Sequence, residues 1–202
     1  MIAGLKAERV IDEIAERCCA NFGFRCLAPL AFVRGSVAAD AFLFFGMRKD
    51  ARVYFAVGAS IALRFPDLTF LVQSSSDYGI HVNVPFNLLG EDHTFHEWQS
   101  SSIEQLQILA DDITAAISFR AIPFIDANST LEALRTRLSS NSPRDWYVLS
   151  PEQRTALLAA SEWVPGAREK AVAMVDEALA RLPARLPNKR AALESLRAKF
   201  AV

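Results

Sequence analysis

The sequence predicts an α+β fold, with an antiparallel sheet of about four to five strands packed by helices and an all-helical C-terminal module after it. Between residues 23 and 86, apolar residues follow the two-residue period of strands and are interrupted by short polar turns. On either side of that region, apolar residues recur at the spacing of amphipathic helices. The 202 residues, 51% of them hydrophobic, are enough to bury a substantial core.

The first segment, Ile2–Asn21, predicts an amphipathic helix, and Gly23 supplies its stop signal. The apolar residues that fall near one helical stripe are Leu5, Val10, Ile11, Ile14 and Cys18.

The clearest strand signal is the stretch 41–65, where two β-favouring runs flank one polar turn, Met47–Arg52. This arrangement predicts a long antiparallel hairpin. Pro85 favours a strand end or an edge strand near that position. The predicted strands are Gly23–Arg34, Val37–Met47, Arg52–Arg64 and Tyr78–Pro85.

Helices return after residue 100, and their start signals are explicit. Ser129 with Glu132 and Ser101 with Glu104 match the capping box, and Ser150, Pro151 and Gln153 combine an N-cap, a first-turn proline and the reciprocal amide. The predicted helices are Ser102–Arg120, Thr130–Ser139, Pro151–Trp163, Ala167–Leu182 and Asn188–Phe200.

A polar stretch that contains a proline, Ser139–Arg144, has the composition of a linker. It divides the chain into an α+β domain over residues 1–140 and a helical C-terminal extension over residues 141–202.

The charge balance, the cysteine content and the hydropathy of the chain limit the classes of function and the cellular location that the sequence supports. With 22 Lys and Arg against 23 Asp and Glu, the net charge of −1 gives no field that attracts nucleic acid or an acidic membrane. Cys18, Cys19 and Cys26 cannot form a closed disulfide framework. The N-terminus lacks a signal-peptide pattern, and no apolar window is long enough to cross a membrane. We therefore expect a cytoplasmic protein.

The densest cluster of potential ligands is the loop Glu91–Glu97. Imidazole nitrogens and carboxylate oxygens are the donors that zinc and other divalent ions accept. The loop lacks a His-Glu-x-x-His helix, and a polar loop packed down by Trp98 is the structural alternative. The residues that could hold such a metal are Asp92, His93, His96 and Glu97, and no other cofactor is predicted.

His81, Asn83 and Trp98 are the candidate binding residues, with His81 at the solvent-facing position of its strand. A hydrogen-bonded structural histidine is the alternative interpretation. No catalytic residue is predicted, because the chain contains neither a nucleophile elbow nor a glycine-rich phosphate loop.

Residues 12–138 resemble the bacterial family filed as domain of unknown function 4304. The resembling features are Asn21-Phe22-Gly23-Phe24, the Phe32-Val33-Arg34 strand with its following hairpin, Trp98 ahead of a helix, Ile122-Pro123-Phe124-Ile125-Asp126 and Ser129–Leu134. The resemblance implies an antiparallel α+β fold without an assigned activity or catalytic residues. Separately, the helix near residues 166–183 resembles the second helix of one tetratricopeptide repeat, in its small residues and terminal proline.

The leading functional hypothesis is a non-enzymatic domain that binds another protein, for example as an immunity or accessory factor. The first alternative is a small metal-dependent hydrolase that uses the loop Glu91–Glu97. The second is a domain that binds an apolar ligand between its sheet and its helices. The sequence leaves catalysis, the identity of the partner and the oligomeric state open.

Overall fold

A computed structural model describes residues 2–36, 38–49, 55–72, 80–89, 97–106, 108–140 and 149–201. The strands are β1 (Arg25–Ala28), β2 (Ala31–Gly35), β3 (Asp40–Lys49), β4 (Phe55–Arg64), β5 (Val82–Pro85) and β6 (Trp98–Ser100). The helices are α1 (Ile2–Ala20), α2 (Pro66–Thr69), α3 (Ile103–Leu106), α4 (Leu109–Ala116), α5 (Ile122–Asn128), α6 (Leu131–Ser139), α7 (Pro151–Trp163), α8 (Arg168–Arg181) and α9 (Pro187–Lys199).

The strands form one six-stranded sheet in the order β1-β2-β3-β4-β5, and β6 pairs with the start of β4. The pairs β1/β2, β2/β3 and β4/β6 are antiparallel. Strands β3 and β4 are neighbours, as the predicted hairpin requires, and residues 50–52 of its predicted turn lie outside the described residues. The predicted α+β class with an antiparallel sheet is confirmed.

The predicted strand Gly23–Arg34 is wrong as one element, because the chain turns at residues 29 and 30 and forms the hairpin of β1 and β2. Leu30 has a φ of 59°, in the left-handed region that is unfavourable for a residue with a branched side chain. Its amide donates a 2.8 Å hydrogen bond to Oδ1 of Asp12, and its carbonyl accepts a 2.8 Å hydrogen bond from the amide of Phe45. These two bonds hold the strained turn against α1 and β3.

Helix α1 has the predicted amphipathic face. Among residues 8–20, whose burial the structure describes, the buried residues are Ile11, Ile14, Ala15, Cys18 and Cys19, and Val10 is half-buried. The helix contacts β1, β3, α3 and α4, and it ends before Gly23, whose φ of 77° suits the residue that follows a helix. The Sγ of Cys18 donates to the carbonyl of Ala110, and burial raises the pKa of the Cys19 thiol.

The chain divides into two compact units. The first comprises residues 1–63 and 83–127, and the second comprises residues 64–82 and 128–202. The segment 64–82 therefore belongs with the C-terminal helices by its contacts. The predicted division at residue 140 into an α+β domain and a helical extension stays a prediction.

In the second unit, successive helices pack as neighbours, α6 on α7, α7 on α8 and α8 on α9. Cations from one element satisfy carbonyls at the end of another. Arg154 of α7 donates to the carbonyls of Leu138 and Ser140 at the end of α6. Arg190 of α9 donates to the carbonyls of Leu179 and Leu182 at the end of α8. A cation is favourable there because the last carbonyls of a helix lack amide partners and carry partial negative charge.

The predicted capping box of α7 is confirmed, with Ser150 and Gln153 each accepting from the other's backbone amide. The other two caps lie one residue later than predicted. Thr130 caps α6 by accepting from the amide of Ala133, and Ser102 accepts from the amide of Gln105 at the start of α3. The helices begin one residue later, so Ser129 and Ser101 lie outside the N-cap position.

Among the described residues, no helix combines the length and the apolar character needed to cross a membrane.

Asp12→Ala removes the acceptor that holds the Leu30 amide, so we expect the free energy of unfolding to fall by about 1–2 kcal/mol. Urea denaturation monitored by far-ultraviolet circular dichroism measures the change. The matched control is Glu16→Ala, which removes an exposed carboxylate from the same helix and should leave the midpoint within experimental error. Equal midpoints for the two variants would show that the bond to Leu30 does not stabilise the turn.

Candidate binding site at a π-helical turn

One uninterrupted helical stretch, residues 109–128, carries the site. Its residues at every fourth position are buried. In a regular α-helix each step of four residues advances about 40° beyond a full turn, so a row of five drifts by about 160°. Such a row stays on one face only if the helix widens within it. The row consists of Leu109, Ile113, Ile117, Ala121 and Ile125.

The helix does widen, over a π-helical turn at Ile117–Ala121 that joins α4 to α5. The amide of Ile122 donates to the carbonyl of Ile117, five residues earlier. The next residue, Pro123, has no amide hydrogen, and its ring would clash with the carbonyl of Phe119 in a regular helix. The extra residue in the turn removes about 100° of drift and accommodates the proline.

A pocket with a volume of about 420 Å³ lies beside this turn. Its walls come from three parts of the first unit: Phe86 directly after β5, β6 with the residue just before it, and α4 with the π-helical turn. The lining residues are Phe86, Glu97, Trp98, Asp112, Ala115, Ala116, Phe119 and Arg120.

Arg120 is the lining residue whose hydrogen bonding is incomplete. Its side chain is half-buried, and its Nη1 atom is buried without a hydrogen-bond partner among the described residues. A buried donor without an acceptor loses its hydration and gains nothing in return, at a cost of about 1–3 kcal/mol, more for a charged group. A carboxylate is the acceptor that matches a guanidinium best, because two parallel N–H···O bonds can form.

The acidic and aromatic walls of the pocket are held by neighbours. Glu97 accepts two hydrogen bonds from Arg48, at 2.6 Å from Nη2 and 3.2 Å from Nε, so its charge is offset. Trp98 makes an edge contact with the buried ring of Phe86, with 6.3 Å between ring centroids. Asp112, in the first turn of α4, is exposed to solvent.

The ring of Phe119 is 79% exposed, although an apolar ring gains free energy when it is removed from water. It lies on the π-helical turn next to Arg120 and lines the same pocket. The site therefore offers a free aromatic surface, an indole edge and an unsatisfied cationic donor together.

Two of the predicted site residues lie at the pocket. Trp98 and Glu97 line the pocket, whereas Asn83 is exposed on β5 and does not line it. Asp92, His93 and His96 lie outside the described residues, so the metal site stays a prediction. Within the described ranges, no group of three or more His, Cys, Asp or Glu side chains is arranged to hold a metal ion.

The predicted solvent-facing position of His81 is wrong. The side chain is 5% exposed, because the strand begins at Val82 and His81 precedes it. Its Nδ1 accepts a 3.0 Å hydrogen bond from the amide of Phe65, directly after β4. Burial, with the nearby charge of Arg64, lowers the pKa of His81 to about 4, so the imidazole is neutral at physiological pH. This geometry matches the hydrogen-bonded structural histidine that the sequence offered as the alternative.

Arg120 and Phe119 were not among the site residues predicted from the sequence. Two signals could have found them: the four-residue spacing of apolar residues through 109–125, and Pro123 between the last two residues of that row. Together they require a wide turn immediately before the proline.

Comparison with models of protein families, with curated proteins and with solved structures finds no match for this chain. The resemblance to the family of domain of unknown function 4304 stays a prediction.

Because the native imidazole of His81 stays neutral down to about pH 4, the unfolded chain takes up its proton first, near pH 6.5. The stabilisation is complete above pH 6.5 and is lost as the pH falls towards 4. We expect this group to lower the free energy of unfolding by roughly 3 kcal/mol over that window.

The comparison variant is His81→Asn, whose side-chain oxygen can accept from the Phe65 amide without titrating. Urea denaturation between pH 7.5 and pH 4 should give a shallower pH dependence for this variant than for the wild type. Parallel curves would show that His81 titrates alike in the folded and unfolded chains.

Proposed function

We propose that this chain is a protein-binding domain, and that the Arg120 pocket receives a segment of the partner that presents a carboxylate beside an apolar side chain. The observation that carries the proposal is the buried Nη1 of Arg120, which lacks an acceptor among the described residues. Arg120 lines the pocket, so a carboxylate from a partner would bind the guanidinium there, and a rotation of the side chain would bring the enclosed Nη1 to the same acceptor.

The composition of the pocket supports a protein partner. Tryptophan and arginine dominate the residues that contribute most to binding at protein interfaces, and aromatic residues in general are enriched there. Trp98, Arg120 and Phe119 line one pocket here. The exposed ring of Phe119 gives a partner apolar area to bury outside the pocket, and the guanidinium gives it a directional contact.

The charges of the pocket favour an acidic ligand group over a basic one. Glu97 is already engaged by Arg48 through two hydrogen bonds. Asp112 is exposed, so water screens and hydrates its charge. The group without a hydrogen-bond partner among the described residues is the Nη1 donor of Arg120. The positive charge of its guanidinium would repel a cationic ligand.

The variant Arg120→Met tests the effect of the guanidinium on partner affinity separately from its effect on stability. The methionine keeps much of the apolar stem and removes the buried donor, so we expect an unfolding midpoint at least as high as that of the wild type. Partner affinity should fall by about tenfold or more. Thermal denaturation and affinity purification from the native host, with mass spectrometry of the co-eluting chains, measure the two effects.

The matched controls lie in the second unit. Phe70 is 69% exposed, so Phe70→Ala removes a ring of similar exposure to that of Phe119, and Arg185→Met removes an exposed cation. A partner chain should be lost with both Arg120→Met and Phe119→Ala and retained with both controls. A wild-type chain that elutes alone, or a partner that survives both pocket variants, contradicts the proposal.

A minimal ligand pair tests the chemistry directly. N-acetylphenylalanine carries a ring and a carboxylate, and N-acetylphenylalaninamide carries the same ring without the charge. We expect the acid to shift the indole resonance of Trp98 in a nuclear magnetic resonance titration at concentrations where the amide does not. Equal shifts from both compounds would show that the charge of Arg120 does not select the ligand.

A further inference from the structure

A second concave site lies wholly within the second unit. It is a groove with a volume of about 410 Å³ between α7, α9 and the residues that follow α2. Its apolar lining includes Leu71, Val72, Ala156, Leu193 and Leu196. Leu71, Leu193 and Leu196 are core residues of this unit, so the floor of the groove is anchored in the packed interior.

One cation at the rim has no carboxylate partner among the described residues. The Nζ of Lys199 donates to the carbonyls of Phe70 and Leu71, at 2.8 and 3.1 Å, and lies 5.8 Å from the centroid of the Phe70 ring. These contacts fix the ammonium group at the groove, and they do not cancel its charge.

The other charges at the rim offset one another. Lys189 forms a 2.8 Å ion pair with Glu152, and that hydrogen bond lowers the pKa of the Glu152 carboxyl. The carboxylate therefore stays ionised and paired. The unbalanced charge of the lining is the positive charge of Lys199, which favours an anionic group at that end of the groove.

The volume of the groove favours a small amphiphile over a helix of a partner protein. A helix about 10–12 Å across fills about 400–600 Å³ in each turn, so the groove holds about one turn at most. Pockets for small molecules run from about 300 to 1,000 Å³ and are mostly apolar with a few placed polar groups.

We propose that this groove binds an aliphatic carboxylate: one unbranched hydrocarbon chain along Leu71, Leu193 and Leu196, with its carboxylate at Lys199. The groove is lined by residues of the second unit, and the Arg120 pocket is lined by residues of the first. The two can therefore fail separately.

Isothermal titration calorimetry of the full chain with sodium decanoate and with 1-decanol tests the head group. The two ligands share chain length and differ in charge, so decanoate should bind about tenfold more tightly. Lys199→Met should reduce the affinity for decanoate to that for decanol and leave decanol unchanged. Absence of decanoate binding to the wild type, or an affinity that Lys199→Met does not change, overturns the proposal.

Two neighbouring alanines on α9 test the location. Ala192 and Ala191 are both exposed, but only Ala192 lines the groove. Ala192→Phe should fill the groove and weaken decanoate binding by about tenfold or more, while Ala191→Phe should bind as the wild type does. Equal binding by the two phenylalanine variants places decanoate elsewhere and overturns the assignment. Thermal denaturation of each variant confirms that it is folded, and Lys199→Arg, which keeps the charge, should retain the preference for decanoate.

Discussion

The missing amide hydrogen of Pro123 is the constraint on which the candidate site depends. A proline inside a helix removes one backbone hydrogen bond and pushes against the carbonyl four residues earlier. The π-helical turn at Ile117–Ala121 accommodates the proline, because it contains one residue more than a regular helical turn. The buried row from Leu109 to Ile125 thereby stays on one side of the helix. Phe119 is left in solvent, and Arg120 is left at the wall of a pocket.

The arginines differ in whether their buried donors find acceptors. Where Arg154 and Arg190 approach helix ends, their donors meet carbonyls that the helices leave unsatisfied, so the cations stabilise the packing of neighbouring helices. Arg120 has a buried donor without such an acceptor among the described residues. A stable fold tolerates a buried donor without an acceptor, and a ligand that supplies the acceptor removes the energetic cost. That contrast supports the proposed binding role of Arg120, whereas the other two arginines bridge helix ends.

The sequence predicted the fold class, helix α1, the neighbouring strands β3 and β4, and the capping box at Ser150, because each has a local signal that tertiary contacts reinforce. It failed where a distant contact decided the outcome. The left-handed conformation of Leu30 depends on Asp12, and the burial of His81 depends on the amide of Phe65. For the candidate site, Trp98 and Glu97 were singled out by their residue types, as a binding residue and a metal ligand, whereas Arg120 lies at a wide turn that ordinary helical periodicity does not contain.

The wide turn before Pro123 sets the position of Arg120. The most direct test is the scalar coupling across the hydrogen bond donated by the amide of Ile122, measured by nuclear magnetic resonance on the isotope-labelled chain. We expect a correlation from the Ile122 nitrogen to the carbonyl carbon of Ile117, five residues earlier. A correlation to the carbonyl carbon of Ser118 would show a regular α-helix and would contradict it.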